Sequence, residues 1–269
     1  MDLHHGKTRV SYQNTIRKFA GAVPSEVTQI QLRHVRDWIE GLKEADTTKL
    51  KHLHILKAFF SYVLSLENPP IKRSPIPKQF KLPTPKDTLV ERILSRSEVD
   101  ALIEHERDLR NRLILKTLYL TGIRVSELCG LRWKDVIPNR DSGQISVYGK
   151  GGKTRRIRIP VELWQELSAF KGDIRSCAPV FASAAGLPLA PSNIDRVLKR
   201  AAKAAGLVNA LAVSPHWLRH SHATHALDEG VPMHLVQATL GHESLDTTSK
   251  YLHISPEKSS GEVLMRTWK

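Results

Sequence analysis

Apolar positions in the first 68 residues recur at helical spacing. Tyr12, Ile16 and Phe19 share one face of a first helix. Thr28 and Gln31 are spaced as a capping box, and Leu32, Val35, Ile39 and Leu42 continue as the face of a second helix. Leu50, Leu53, Leu56, Phe60 and Leu64, following Thr47, mark a third. Residues 1–68 are therefore expected to form a small all-helical domain.

The pattern then breaks. Pro69, Pro70, Pro75, Pro77, Pro83 and Pro85 alternate with Lys72, Arg73, Lys78, Lys81 and Lys86. Proline removes a backbone donor and stops a helix. Residues 69–91 thus read as an extended basic linker, either a solvated spacer or a strap along phosphates. Lys57, Lys72 and Arg73 are candidate contacts for such phosphates, and sequence does not rank them.

Helical spacing resumes near Leu94. Ser95 and Glu98 signal a helix start, and Val99, Leu102 and Ile103 follow on one face. Leu109 to Leu120 is an apolar helix expected to be buried, broken by Gly122, with another from Val125 to about Leu131. The period switches to two at Ile145 and Val147 and again at Ile157 and Ile159, around Gly149, Gly151 and Gly152, which predicts a hairpin. Helices return at Leu163, Leu167 and Phe170, and at Ile194 to Ala205, closed by Gly206. Ser214 and Pro215 open the next helix. Gly230 and Pro232 separate it from a short helix ending at Gly241, and a last helical segment holds Tyr251. The expected fold is mainly α with a small β-sheet or hairpin. An N-terminal helical domain precedes the linker and a mixed α/β domain over 92–269.

Composition narrows the partner. A chain of 269 residues, 41% hydrophobic, can fill two cores. Its 41 Lys and Arg exceed its 27 Asp and Glu, giving +14, a surplus that favours a polyanion such as nucleic acid or an anionic membrane. The N-terminus has no signal-peptide core, no run reaches transmembrane length, and Cys129 and Cys177 form no disulfide framework. A cytoplasmic protein is expected, with membrane as the weaker partner.

Four segments carry candidate chemistry. In Thr121-Gly122-Ile123-Arg124-Val125-Ser126-Glu127, Arg124 opens a helix after a glycine turn. Free N–H groups and the positive dipole end there suit an anion, and a guanidinium matches phosphate oxygens. Glu127 lies one turn on and can orient Arg124, unless the pair is an ordinary surface ion pair. Gly149-Lys150-Gly151-Gly152-Lys153-Thr154-Arg155-Arg156 is a basic hairpin tip, and its strand-like flanks exclude the phosphate loop of nucleotide hydrolases. In His216-Trp217-Leu218-Arg219-His220, His216 and Arg219 share a helical face while Trp217 and Leu218 turn to the core. His216 and His220 have metal-ligand spacing, but no carboxylate completes a zinc-hydrolase motif and no Cys sits near, so no metal is expected. His222 and His225 read as packing or surface residues. The fourth segment is Leu240-Gly241-His242, with Tyr251 nine residues beyond His242.

In this order, with His216 and His242 twenty-six residues apart, the segments resemble the tyrosine recombinase, or phage integrase, family. The resemblance covers roughly the whole chain if the helical first domain is compared with the family's core-binding domain, which clamps DNA. It implies attack by Tyr251 on a DNA phosphodiester, giving a 3′-phosphotyrosyl linkage and a free 5′-hydroxyl. Arg124 and Arg219 would hold the phosphate, His242 would hydrogen-bond its oxygens, and His216 would accept or relay the phenol proton. A hairpin lysine would protonate the leaving 5′-oxygen: Lys150 by the family pattern, with Lys153 in reserve. Glu127, Lys153 and His220 are supporting candidates. No metal, nucleotide or other cofactor is implied. The implied partner is a double-stranded DNA recombination site, bound by a homotetramer spanning two sites. Without DNA the protein would be a monomer or weak oligomer, and its place in the cell would be the nucleoid. A chain that begins almost directly in the helical domain suggests a Xer-like or mobile-element recombinase without an arm-binding domain. Val263, Leu264 and Trp268 could form the face of a C-terminal helix docking in cis or in trans. Two alternatives remain: a type IB topoisomerase-like nicking and resealing enzyme, and a catalytically silent DNA-binding regulator.

Overall fold

The helical spacing of the first segment closes into α1 (Gly6–Ala20), α2 (Leu32–Gly41) and α3 (Asp46–Leu64). The computed structural model describes residues 6–84, 89–149, 154–242, 248–249 and 251. Its two compact units are Met1–Asp87 and Thr88–Lys269. In the first, Phe19, Val35, Ile39, Leu53, Leu56 and Phe60 form a buried core. Phe19 meets Trp38 and Phe60 edge-on, a geometry that adds about 0.5–1.5 kcal/mol per pair beyond area burial.

Two expectations for this unit are corrected. The capping box at Thr28 and Gln31 does not form: Thr28 lies in a 3-10 turn, Val27–Gln29, with its hydroxyl 3.4 Å from Glu26. Gln31 is instead the extended residue preceding α2, and its N–H donates to His34 Nδ1 at 3.1 Å. Short polar side chains bond locally in this way and compete with helix initiation. The proline-rich stretch is not simply a spacer. Ile76 is buried in the helical core, and Ile71, Phe80 and Leu82 pack against it. Lys57 donates to the carbonyls of Lys78 and Phe80 at 3.3 and 2.6 Å, serving backbone acceptors.

The second unit opens with α4 (Arg96–His105). Here the predicted helix start takes the form of a capping box: Glu98 N–H donates to the Ser95 hydroxyl, and Ser95 N–H to the Glu98 carboxylate. Helix α5 (Leu109–Thr121) follows and buries Leu113, Ile114, Leu115 and Leu118, while Leu109 and Leu120 at its ends stay exposed. It stops at Gly122, whose φ is 59°. A Cβ there would lie 2.7 Å from side-chain atoms of His222 and Leu240, so glycine is required by conformation and by space.

After α6 (Val125–Gly130), three antiparallel strands form one sheet in the order β1 (Val136–Asn139), β2 (Ser142–Tyr148) and β3 (Thr154–Ile159). The predicted hairpin is β2–β3, with Ile145 opposite Ile157. β1 is an addition. Its four residues include Pro138 and show too little alternation to announce a strand. Helices α7 (Val161–Lys171), α8 (Pro191–Ala204), α9 (Pro215–Asp228) and α10 (Met233–Leu240) complete the unit. α5 packs against α9, α7 and β3, and α10 packs against α9 and β3. That arrangement brings the ends of α5 and α10 and the start of α6 together. Lys150, Lys153 and the expected C-terminal helix lie outside the described residues.

Candidate active site

The last carbonyls of any α-helix lack intrahelical partners. At the end of α10, three consecutive carbonyls each accept from a different arginine. Arg155 Nε donates to Thr239 O at 2.8 Å, Arg219 Nη2 to Leu240 O at 2.7 Å, and Arg124 Nη2 to Gly241 O at 3.4 Å. Arg219, on α9, also donates through Nη1 to Gly122 O, at the end of α5. Cations suit this negative end of a helix dipole. The three arginines arrive from three elements: the residue before α6, strand β3, and α9.

Among the described residues, one carboxylate sits with them. Glu127 accepts from Arg124 N–H at 2.7 Å and from Arg124 Nη1 at 3.0 Å. It takes both ends of the Arg155 guanidinium, at 2.9 and 2.8 Å. Its side chain is 6% exposed. Burial alone would raise its pKa, but the hydrogen bonds from Arg155 and the Arg124 backbone outweigh that and hold it below the ordinary value. The pairing expected of Glu127 with Arg124 is therefore present, and it is partly buried.

Three guanidinium groups against one carboxylate leave a surplus of positive charge in a partly desolvated place. Burial, then repulsion from Arg124, lowers Arg219 to about 10, and it stays cationic at neutral pH. The Arg124 side chain is 38% exposed, whereas that of Arg155 is 15% exposed. Of the two arginines paired with Glu127, Arg124 is the one open to a ligand.

Tyr251 joins this cluster from the C-terminal side. It is 5% exposed, packed with Ala223, Val236 and Leu240. Its hydroxyl lies 2.7 Å from His220 Nδ1. With the imidazole proton on Nε2, Nδ1 accepts the phenol O–H. Burial pushes the phenol above its ordinary pKa, and Arg219 pulls it partly back. The His242 ring stacks on Tyr251 with centroids 6.4 Å apart, and its Nδ1 lies 2.9 Å from Thr248 Oγ1. Burial, then the charges of Arg219 and Arg124, lowers His242 to about 4. It is neutral at pH 7, able to hydrogen-bond but adding no charge.

His216, in the first turn of α9, has its ring 6.5 Å from that of His220. Partial desolvation, then Arg219 and Arg124, lowers its pKa. The described residue that meets the Tyr251 hydroxyl is thus His220, named only as a supporting candidate, rather than His216. His222 and His225 are packing residues: His222 Nδ1 lies 2.7 Å from Tyr119 O, and His225 Nδ1 lies 2.8 Å from the Tyr119 hydroxyl. Among the described residues no three His, Cys, Asp or Glu side chains are grouped to hold a metal ion, and no helix is long and apolar enough to cross a membrane.

Arg155 lies in the basic hairpin segment, but its sequence context did not single it out as a site residue. A signal was available, because alternation along β3 puts Arg155 on the inward face with Ile157 and Ile159, an unusual place for a charge.

The fold agrees with what comparison with known proteins finds. Residues 92–258 match the model of the phage integrase family, and the chain belongs to that family. Within it, the chain is 31% identical to a tyrosine recombinase of Thermosipho africanus, over 97% of this chain and 93% of that one. It is 32% identical to tyrosine recombinase XerD of Pseudomonas aeruginosa, over 92% of this chain and 87% of that one. The crystal structure of the XerH site-specific recombinase bound to a difH substrate superposes with a TM-score of 0.75. That match covers 96% of this chain and 78% of XerH at 23% identity, a likeness of fold. The protein is a Xer-like tyrosine recombinase, a site-specific DNA strand-transfer enzyme. The topoisomerase-like and silent-regulator alternatives are not favoured.

Proposed function

We propose that Tyr251 is the nucleophile of this recombinase and that Arg124 and Arg219 clamp the scissile phosphate. The observation that carries the reading is the positive surplus gathered at the end of α10, beside a tyrosine hydroxyl already hydrogen-bonded to a histidine. A phosphodiester under attack gains charge on its non-bridging oxygens, and fixed cationic donors in a partly dry site stabilise that charge. Arg219 has five N–H groups and gives two of its donors to carbonyls, which leaves donors for a phosphate.

The phenol is held protonated, so it needs a proton acceptor as it attacks. His220 is in hydrogen-bond reach for that step, and His216 stands next along α9 to pass the proton on. Neutral His242 donates a hydrogen bond to a phosphate oxygen. Lys150, or Lys153 in reserve, protonates the departing 5′-oxygen. The bond energy stays in the 3′-phosphotyrosine, so a second 5′-hydroxyl reverses the step without a nucleotide or metal.

Exchange between two duplex sites involves four strands. One tyrosine for each calls for a homotetramer assembled on DNA, with the helical unit as the clamp. Such an enzyme works at the nucleoid. The test is Tyr251→Phe: DNA binding persists while the covalent adduct on nicked duplexes disappears. Normal recombination by that variant would refute the assignment.

A further inference from the structure

Arg155 is spent on protein rather than left open to a ligand. Nε donates to Thr239 O, and Nη1 and Nη2 donate to the two oxygens of Glu127. Its residue sits on β3, next after the segment that carries Lys150 and Lys153. The turn after α10 is shaped around it. Gly241 has φ 65°, and a Cβ there would lie 3.1 Å from Arg155 Cδ and Nη1. One guanidinium thus ties the sheet, the Arg124–Glu127 pair and the turn leading to His242.

We infer that Arg155 is a positioning residue for cleavage, which occupies the Glu127 carboxylate so that Arg124 remains available to the scissile phosphate. The inference rests on the proposed function. With Arg155 present, Glu127 is shared between two cations, and Arg124 keeps positive charge facing a ligand. Without it, Arg124 is the remaining cation paired with the buried carboxylate among the described residues. Arg124 would then be drawn into a neutral pair, and a carboxylate would face an incoming phosphate. A one-sided buried carboxylate is also costly, which strengthens its hold on Arg124. Arg155 itself touches no reacting atom in this account.

A simple packing role makes a different prediction, which the double variant Glu127→Gln with Arg155→Met exposes. If Arg155 acts by occupying the Glu127 charge, removing that charge restores what its loss took away. If Arg155 only fills space and holds β3, the second substitution adds damage. The probe is a nicked suicide duplex built from the sequence recovered on the protein from cells. Adduct formation is followed in single turnover, and duplex affinity is measured alongside.

The account expects Arg155→Met to slow adduct formation about 100-fold, the scale of a small misplacement of a catalytic group. Loss of one largely buried charge should weaken duplex binding by less than about threefold. Arg155→Lys keeps the charge without the two-point grip, so it should retain more activity than Arg155→Met. Adding Glu127→Gln to Arg155→Met should recover about tenfold or more, as the amide carries no charge to hold Arg124. Arg155→Met at the wild-type rate would overturn the inference, as would a double variant slower than Arg155→Met. Should Arg155→Met melt below the assay temperature, the double variant decides it: a folded double variant within about tenfold of the wild-type rate supports the inference, and an inactive but folded one overturns it. No adduct from the wild-type protein would instead be a failure of the proposed function.

Discussion

Each unit of the molecule holds charged side chains in a hydrogen-bonded network, and the two networks balance differently. In the helical unit Lys18 donates to Glu44 at 3.1 Å, Glu44 lies 2.7 Å from His52 Nε2, and His52 Nδ1 lies 2.9 Å from Thr15 Oγ1. One cation meets one anion, and a largely buried histidine bridges to a threonine. Lys18 and then His52 hold the Glu44 carboxyl below its ordinary pKa. Nothing in that chain asks for a further charge. In the second unit three arginines meet four helix-end carbonyls, and two of them, Arg124 and Arg155, share one carboxylate. Carbonyls supply partial charge only, so among the described residues positive charge is in excess there. A network that closes on its own partners holds helices together, while one built with surplus charge in a partly desolvated place awaits a ligand.

The comparison predicts unequal responses. Arg219→Ala, in the unbalanced network, should slow adduct formation by about 10²–10³-fold, the range for losing a donor to developing negative charge. Single-turnover cleavage measures it, and a change under threefold would make Arg219 a structural member, like those in the helical unit.

Acid should act next. His222 is buried neutral with a pKa near 4 against an ordinary 6.5, its burial being the main cause. Its contribution is therefore full above pH 6.5 and is lost as pH falls toward 4. At roughly 1.4 kcal/mol per unit, the loss should approach ~3 kcal/mol. Urea midpoints for wild type and His222→Asn at pH 7 and pH 4.5 isolate that share, and parallel pH dependence in both would contradict it. The smallest effect belongs to Lys18→Met, a 59% exposed partner in the balanced network. Exposed pairs add little, so both the melting temperature and the cleavage rate should stay within error of wild type.

Much of this was legible in the sequence because the signals are local. Apolar spacing announced the helices, Gly122 and Gly241 marked the stops of α5 and α10, and alternation at Ile145, Val147, Ile157 and Ile159 marked the hairpin. What was not legible depends on contacts distant in the chain. Nothing near Ile76 says that it enters the helical core beside Phe19. Thr28 and Gln31 have cap spacing, yet local bonds to Glu26 and His34 set the actual start of α2. Spacing put His216 on the face of Arg219 and left His220 in support, and only the packing of α9 against Tyr251 puts the His220 nitrogen at the hydroxyl. Arg155 shows the limit most clearly: its inward register was readable, but its partners lie 28 and 84 residues away.

The central claim is that Tyr251 forms the covalent bond to DNA. Its most direct measurement is mass spectrometry of the adduct trapped on a nicked suicide duplex, after digestion of protein and DNA. The account predicts a nucleotide 3′-phosphate on the peptide containing Tyr251, and no adduct in Tyr251→Phe. A phosphate-linked nucleotide on any other residue, or an adduct that survives Tyr251→Phe, would contradict it.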